Sequence, residues 1–369
     1  VVRLSKATQN LKPYIPGPSL EEIRTEYGLE DLVLLAANEY WEGPFPEVLA
    51  ALQQALPALN RYPDQDCAEL RALLCGSLGV DAGRLMFGTG SCELLKLLGT
   101  ALVDPGDHMV FPEPSFVVYR LIALELRAAF AAVPLDAFTV DLEAMSSLID
   151  ERTRLVIICN PNNPTGTYLS VEEIEGFLGS IPSDVTVVLD EAYGEFVTTP
   201  SRRDTVPLIK THPNLVILRT FSKIYGLAGL RVGYGIAHPD LVAAVDMLRQ
   251  PYNVTSLAQV AAAEAFRHQE RVSERREYVH RERATLYEDF ARLGVACVPS
   301  QANFVLVNVE GLPVPGEEVP RSLLAQGIMT RSGYFFGCPG WIRVTVGSRS
   351  ENEALLQVFE SIAGRSRAA

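Results

Sequence analysis

Arg219-Thr-Phe-Ser-Lys-Ile-Tyr-Gly-Leu-Ala-Gly-Leu-Arg-Val-Gly-Tyr234 follows the short apolar run 215–218. It carries a hydroxyl (Ser222), an amine (Lys223), three glycines (Gly226, Gly229, Gly233) and a guanidinium (Arg231). The preceding run is continuous and β-branched at Val216 and Ile217, so it predicts a buried strand that ends just before the amine. A side chain on the turn after such a strand reaches into a crevice, where open α/β sheets bind their ligands. Ser222 and Arg231 suit a phosphate there, one through its hydroxyl and the other through a planar fork of donors.

The rest of the chain alternates as an α/β fold requires. Candidate strands are 84–87, 108–111, 128–133, 155–159, 185–189, 215–218 and 233–237, with helical patterns such as 92–102, 171–177 and 241–249 between most of them. This predicts a mainly parallel sheet with helices on both faces. Ahead of it lie an arm and helix in 11–30, a strand at 31–36, a turn at 43–46 and a helix from Pro46 to Leu56. After Pro251 come one long helical stretch (257–293), a strand (302–309), a Pro/Gly loop (311–316), a helix (319–325), short strands near 328–330 and 341–346, and a last helix. The expected division is an N-terminal arm with part of a small domain (1–45), a large domain (46–255) and a small α+β domain (256–369).

Composition narrows the function classes. The 369 residues carry a net charge of −13 with no basic block, which argues against a general nucleic-acid binder. Residues 271–283, rich in Arg and Glu, read as a solvated, salt-bridged helix face. The six cysteines have neither CxxC nor His-paired spacing, so neither a zinc site nor a disulfide framework is expected, and no metal is assigned. The start Val1-Val-Arg-Leu-Ser-Lys lacks a signal peptide's apolar core and no segment has the length of a membrane span. The expectation is a cytoplasmic protein without a membrane partner.

Two further strand ends give the crevice a chemistry. Thr186-Val-Val-Leu-Asp-Glu-Ala-Tyr193 ends in acidic and aromatic residues, and Asp190 precedes Lys223 by 33 positions, about one strand–helix–strand unit. Leu155-Val-Ile-Ile-Cys-Asn-Pro-Asn-Asn-Pro-Thr-Gly166 is an apolar run ending in a turn cluster. A lysine that condenses with an aldehyde beside a phosphate site describes a pyridoxal-phosphate enzyme. Its pyridine nitrogen needs a carboxylate to stay protonated, for which Asp190 is the candidate, and its phenolic oxygen needs neutral donors, for which Asn163 and Tyr193 qualify. Phe87-Gly-Thr-Gly-Ser-Cys-Glu-Leu-Leu95 reads as a strand end, a glycine turn and a helix start, where backbone N–H groups at Ser91 and Cys92 can receive an anion.

With these motifs the chain resembles the fold-type I, class I/II aminotransferases, and within them the histidinol-phosphate aminotransferase family. The likeness runs from Leu11-Lys-Pro-Tyr-Ile-Pro-Gly17 to Trp341-Ile-Arg-Val-Thr-Val-Gly347. It implies a large domain with a mainly parallel sheet flanked by helices, plus a smaller α+β domain, and a homodimer with shared active sites. It implies pyridoxal 5'-phosphate as cofactor and transfer of an amino group from a small-molecule donor to a 2-oxo acid. Histidinol phosphate with 2-oxoglutarate, a step of histidine biosynthesis, is the first reading. An aromatic amino-acid aminotransferase on the same scaffold is the alternative. A pyridoxal-binding regulator or a lyase would share much of the cofactor kit.

Residue by residue, the resemblance makes Lys223, Asp190 and Tyr193 catalytic. It puts Phe116, in Pro114-Ser-Phe-Val-Val-Tyr119, on the cofactor ring's face, and makes Ser91, Cys92, Ser222 and Arg231 a phosphate cup. Cys92 stands where the family usually has Asp. Tyr62, in Asn60-Arg-Tyr-Pro-Asp64, is expected to reach the partner's cofactor phosphate. Tyr14, Asn38, Arg331 and Arg343 are the expected substrate residues. The chain departs from the family in Asn38-Glu-Tyr-Trp-Glu-Gly-Pro44, where Tyr40, Trp41 and Glu42 replace the usual middle of a loop that borders the substrate. That pair could favour an aromatic substrate or simply pack against the arm.

Overall fold

The computed structural model describes residues 2–3 and 19–364. Tyr14 and the 11–17 motif lie outside the described residues.

Helix α1 (Leu20–Tyr27) opens with a reciprocal capping box between Ser19 and Glu22 and stops at Gly28, whose φ of 65° suits glycine. Strand β1 (Val33–Leu34) is only the centre of the expected 31–36 strand. Next come α2 (Pro46–Ala55) and α3 (Ala68–Leu78). The alternating region follows as β2 (Leu85–Gly88), α4 (Ser91–Leu102), β3 (His108–Glu113), α5 (Val118–Leu126), β4 (Ala129–Pro134) and α6 (Leu142–Ser147). It continues with β5 (Thr153–Cys159), α7 (Val171–Ser180), β6 (Thr186–Asp190), β7 (Leu215–Thr220), β8 (Gly233–Ile236) and α8 (Pro239–Leu248). Each strand lies within two residues of its expected bounds at either end.

These strands form one seven-stranded sheet in the order β2-β8-β7-β6-β5-β3-β4. All its pairings are parallel except those of β8, which runs antiparallel to both β2 and β7. The central strands β5, β6 and β7 are apolar almost throughout and nearly all buried, because helices cover both faces. Two apolar clusters lie on the sheet, one containing Ile158, Leu189 and Ile217 and the other containing Ile157, Val188 and Val216. This alternation along each strand is the period-two geometry that buries both faces.

The expected single helix at 257–293 is two helices, α9 (Ser256–Arg267) and α10 (Gln269–Arg292). His268 breaks it, with ψ of 61°, and its ring lies between Glu264 and Glu270 at 3.1 and 2.9 Å. The charged face read as solvated is also corrected. Arg275, Glu282 and Arg283 are buried, because each finds a partner inside the fold. Arg275 donates to the carbonyls of Ile224 and Gly43, Arg283 to that of Ala302, and Glu282 accepts from Asn352.

Beyond these helices, β9 (Cys297–Val298), β10 (Phe304–Asn308), α11 (Val319–Ala325), β11 (Ile328–Met329), β12 (Arg331–Ser332), β13 (Trp341–Thr345) and α12 (Arg349–Ile362) complete the chain. Four of the strands form an antiparallel sheet, β12-β13-β10-β9, and β1 pairs in parallel with β11. The N-terminal segment thus joins the C-terminal sheets: Thr345 N–H donates to Leu35 O at 2.9 Å. No helix among the described residues is long and apolar enough to cross a membrane.

Candidate active site

Strand ends of the large sheet converge on a cleft of about 330 Å³. Asp190 and Cys159 are the last residues of β6 and β5, Thr220 ends β7 with Lys223 three residues on, and Ser91 opens α4 just after β2. A parallel sheet brings its carboxyl ends to one edge, so residues far apart in sequence meet there. Ser91, Cys92, Phe116, Asn163, Asp190, Tyr193, Ser222, Lys223 and Arg231 all line this cleft.

Lys223 Nζ donates to the carbonyl of Ala37 at 3.1 Å and lies 5.6 Å from the centre of the Tyr193 ring. Burial, with the Arg343 guanidinium nearby, lowers its ammonium to about 8. A sizeable neutral fraction near neutrality is what an amine nucleophile needs. The Asp190 carboxyl shifts the other way. Burial pushes it up to about 6, against the hydrogen bond from Tyr119 Oη at 2.9 Å and a longer one from Ala192 N–H at 3.3 Å.

A second group of donors gathers around Ser222. Its hydroxyl accepts from Thr220 Oγ1 at 3.0 Å and from Arg231 Nη1 at 3.4 Å. Gly90 presses against Arg231, since a Cβ there would meet its Nη2 at 2.7 Å. Gly233 would likewise bring a Cβ to 2.8 Å from Ser91 N. Glycine allows this close approach of backbone and guanidinium beside the cleft, at Gly90 because its φ is 80° and at Gly233 because a Cβ would meet backbone. The Cys92 thiol is pushed up by burial and by Asp190, so it stays neutral and adds no charge where the family usually has a carboxylate.

Asn38 sits at φ 56° and is buried by reciprocal bonds with Thr345 and by Asn303, which donates to its carbonyl at 3.1 Å. Its Nδ2 donates to Tyr193 Oη at 3.0 Å, which leaves the phenol's own proton available to another acceptor. Arg343 donates to Asn163 Oδ1 at 2.5 Å and to Ala36 O at 2.6 Å, with Phe336 and Phe304 on its guanidinium at 4.9 and 5.4 Å. Asn163 keeps its amide nitrogen as a donor. Arg331 stands directly opposite Arg343 in the β12–β13 register and stacks on Phe335 at 4.7 Å.

Sequence reading missed Tyr119 and Thr220. Tyr119 lies three positions after Phe116, at the first turn of a helix, and that spacing was its only signal. Tyr62 is not at this chain's cleft: it is 82% exposed and stacks on Tyr252 at 4.7 Å. In the departing loop Glu39 lines the cleft, but Tyr40, Trp41 and Glu42 turn away from it. Trp41 packs on Tyr40 and on Tyr278 of α10, Arg275 covers the Tyr40 ring at 4.2 Å, and Glu42 pairs with Arg275 at 3.1 Å. Neither aromatic lines the cleft, and Arg331 and Arg343 also lie outside its lining, Arg343 reaching it through Asn163.

Residues 30–359 match the family model described as aminotransferase class I and II. The chain belongs to that family. As a member it is a pyridoxal-phosphate-dependent aminotransferase, and the cleft fits such a cofactor, with an amine, a buried carboxylate and a glycine-lined cluster of hydroxyls and guanidinium in one space. The aminotransferase is 41% identical over 363 residues to the histidinol-phosphate aminotransferase of Moorella thermoacetica, covering 98% of this chain and 93% of that protein. It is 43% identical over 364 residues to the enzyme of the same name from Geobacillus thermodenitrificans, covering 98% and 97%. Among solved structures it resembles the histidinol-phosphate aminotransferase of Sinorhizobium meliloti in complex with pyridoxal-5'-phosphate, with a TM-score of 0.90, 26% identity and coverage of 99% and 98%.

Proposed function

We propose that this aminotransferase moves the amino group of histidinol phosphate to 2-oxoglutarate. The observation that carries the reading is the juxtaposition of Arg331 and Arg343 across two antiparallel strands. Like charges directly opposite one another are destabilising, and a dianionic phosphate is the partner that two guanidinium forks would best satisfy. The names of the relatives at 41–43% identity support the same substrate. Tyr40 and Trp41, the one feature that could have suited an aromatic substrate, pack against α10 instead.

Pyridoxal phosphate, when bound, supplies an aldehyde that condenses with amines and a pyridinium ring that accepts electrons. In this reading Lys223 holds the cofactor and, once released by the incoming amine, moves the proton at the substrate's α-carbon. Asp190 holds the proton on the ring nitrogen, while Tyr193 and Asn163 donate to the phenolic oxygen. Ser91, the Cys92 backbone, Ser222 and Arg231 bind the cofactor's phosphate, and Phe116 covers the ring face. Asn38 orients Tyr193. Tyr14, Arg331 and Arg343 bind the anionic end of the substrate.

The proposal includes a homodimer in which Tyr62 serves the partner's site, as its exposure beside Leu56 and Leu59 would allow. It also includes the division into a large domain (46–255) and a small domain built from 1–45 and 256–369, in keeping with the separate sheets. Six free cysteines suit a reducing compartment, and the cytoplasm is our assignment. The test is a half-reaction screen. Purified holoenzyme is mixed with candidate amines, its visible absorbance is followed, and 2-oxoglutarate is then added to restore it. Histidinol phosphate should give the fastest loss; a faster loss with phenylalanine or tyrosine would move the enzyme to the aromatic class.

A further inference from the structure

Tyr119 has a fully buried ring whose only polar atom donates to Asp190 and also meets the Cys159 thiol. Its backbone N–H bonds to Phe116 O at 3.1 Å and the two rings meet edge to face at 5.8 Å, so one turn of chain sets both side chains. A tyrosine buried this deeply could pack as well as phenylalanine, and the hydroxyl needs a partner that justifies its desolvation. Here that partner is a carboxylate that is itself buried and receives one other, longer bond, from Ala192 N–H.

We propose that Tyr119 is a positioning residue that keeps Asp190 ionised and oriented for the cofactor's ring nitrogen. This rests on the assignment of Asp190 to that nitrogen. The groups facing Asp190 leave the task to few candidates. Glu191, beside it in the chain, opposes its charge; Cys92 on α4, Cys159 at the end of β5 and the Tyr193 phenol are neutral, and their ionised forms would repel it. Lys223 is the cation that favours its ionisation, and in the loaded enzyme that amine is engaged with the cofactor. Tyr119 is then the side-chain donor that sustains the charge before and during cofactor binding.

The sign follows from linkage. A donor to the ionised form lowers a carboxyl's pKa, so its removal raises it. Cofactor affinity that depends on ionised Asp190 falls as pH drops through that value, and without the hydroxyl it should fall at a higher pH.

The experiment measures cofactor dissociation constants from pH 5 to 8.5 for the wild type, Tyr119→Phe, Asp190→Asn and the double variant. Tyr119→Phe should move the acid limb of affinity upward by about one pH unit, the size of one hydrogen bond to a charged group. Affinity at pH 8 should stay within about threefold. Asp190→Asn should remove the limb near 6 and leave only the dependence that Lys223 sets near 8, and adding Tyr119→Phe to it should change nothing further. A Tyr119→Phe protein with lowered melting temperature but an unmoved limb overturns the proposal, because Tyr119 would then only pack. If Tyr119→Phe does not fold, 3-fluorotyrosine at 119 is the second measurement. Its more acidic hydroxyl should move the limb downward, and an unmoved limb again overturns the proposal. An Asp190→Asn protein that keeps the limb sinks the Asp190 assignment and this inference together, whereas a limb lost in Asp190→Asn and unmoved in Tyr119→Phe sinks this inference alone.

Discussion

At Lys223 the environment sets both reactivity and its pH dependence. The ammonium is lowered to about 8, so in cofactor-free protein the neutral amine grows with pH up to that value. The rate of cofactor capture should therefore rise about tenfold per pH unit below 8 and level off above it, as read by stopped-flow absorbance. A flat profile from pH 6 to 9 would contradict this. Because the folded value lies below that of a free lysine, the unfolded chain binds more protons between the two, and cofactor-free stability contributed by this group rises with pH in that window. Lys223→Ala should abolish transamination without lowering the melting temperature of the cofactor-free protein at neutral pH, because it removes a buried amine. Borohydride should fix the cofactor to Lys223, and a label on Lys96 or Lys210 would overturn the assignment. Asp190→Asn should slow the proton shift far more than it weakens cofactor binding, since the carboxylate's main role is electronic.

Among the elements, the seven strands of the large sheet were legible because each is a short apolar run closed by turn residues, as with 155–159 before Asn160-Pro-Asn. Their order and the reversed direction of β8 were not, because an apolar run carries no direction. The break at His268 was hidden by a helical pattern that continues on both sides of it. Helix α10 was misread for a related reason: its charged residues have solvated-face spacing, but Arg275 is held by carbonyls of Gly43 and Ile224 that only the folded chain supplies. Arg275→Ala should cost about 2–4 kcal/mol in denaturant unfolding, because those carbonyls would be left buried without a donor. Trp41→Ala, at a position 44% exposed, should cost less. It should also leave the preference for histidinol phosphate over phenylalanine within about twofold, since the ring packs on α10 rather than at the cleft. A large change in preference would reopen the loop as a substrate determinant.

For the whole molecule, the residues that line the cleft were readable in sequence because most sit at or near a strand end with a chemically distinctive side chain. Tyr119 escaped because a core tyrosine looks the same whether its hydroxyl meets a carboxylate or not, and Tyr14 lies outside the described residues. In the proposed homodimer Tyr62 serves the partner's site. Mixing Lys223→Ala subunits with Tyr62→Ala subunits should restore activity above both parents, since one of the two composite sites then has both residues intact. A mixture no better than the average of the parents would place Tyr62 outside the site. The central claim concerns the substrate, and it is tested most directly by single-turnover rates with histidinol phosphate and with phenylalanine, for wild type and Arg331→Ala. Histidinol phosphate should react with the higher kcat/KM in the wild type, and Arg331→Ala should weaken it by about 1.5–3 kcal/mol, as for a lost charged hydrogen bond, with a smaller effect on phenylalanine. Faster reaction with phenylalanine, together with an equal loss for both substrates in Arg331→Ala, would contradict the account.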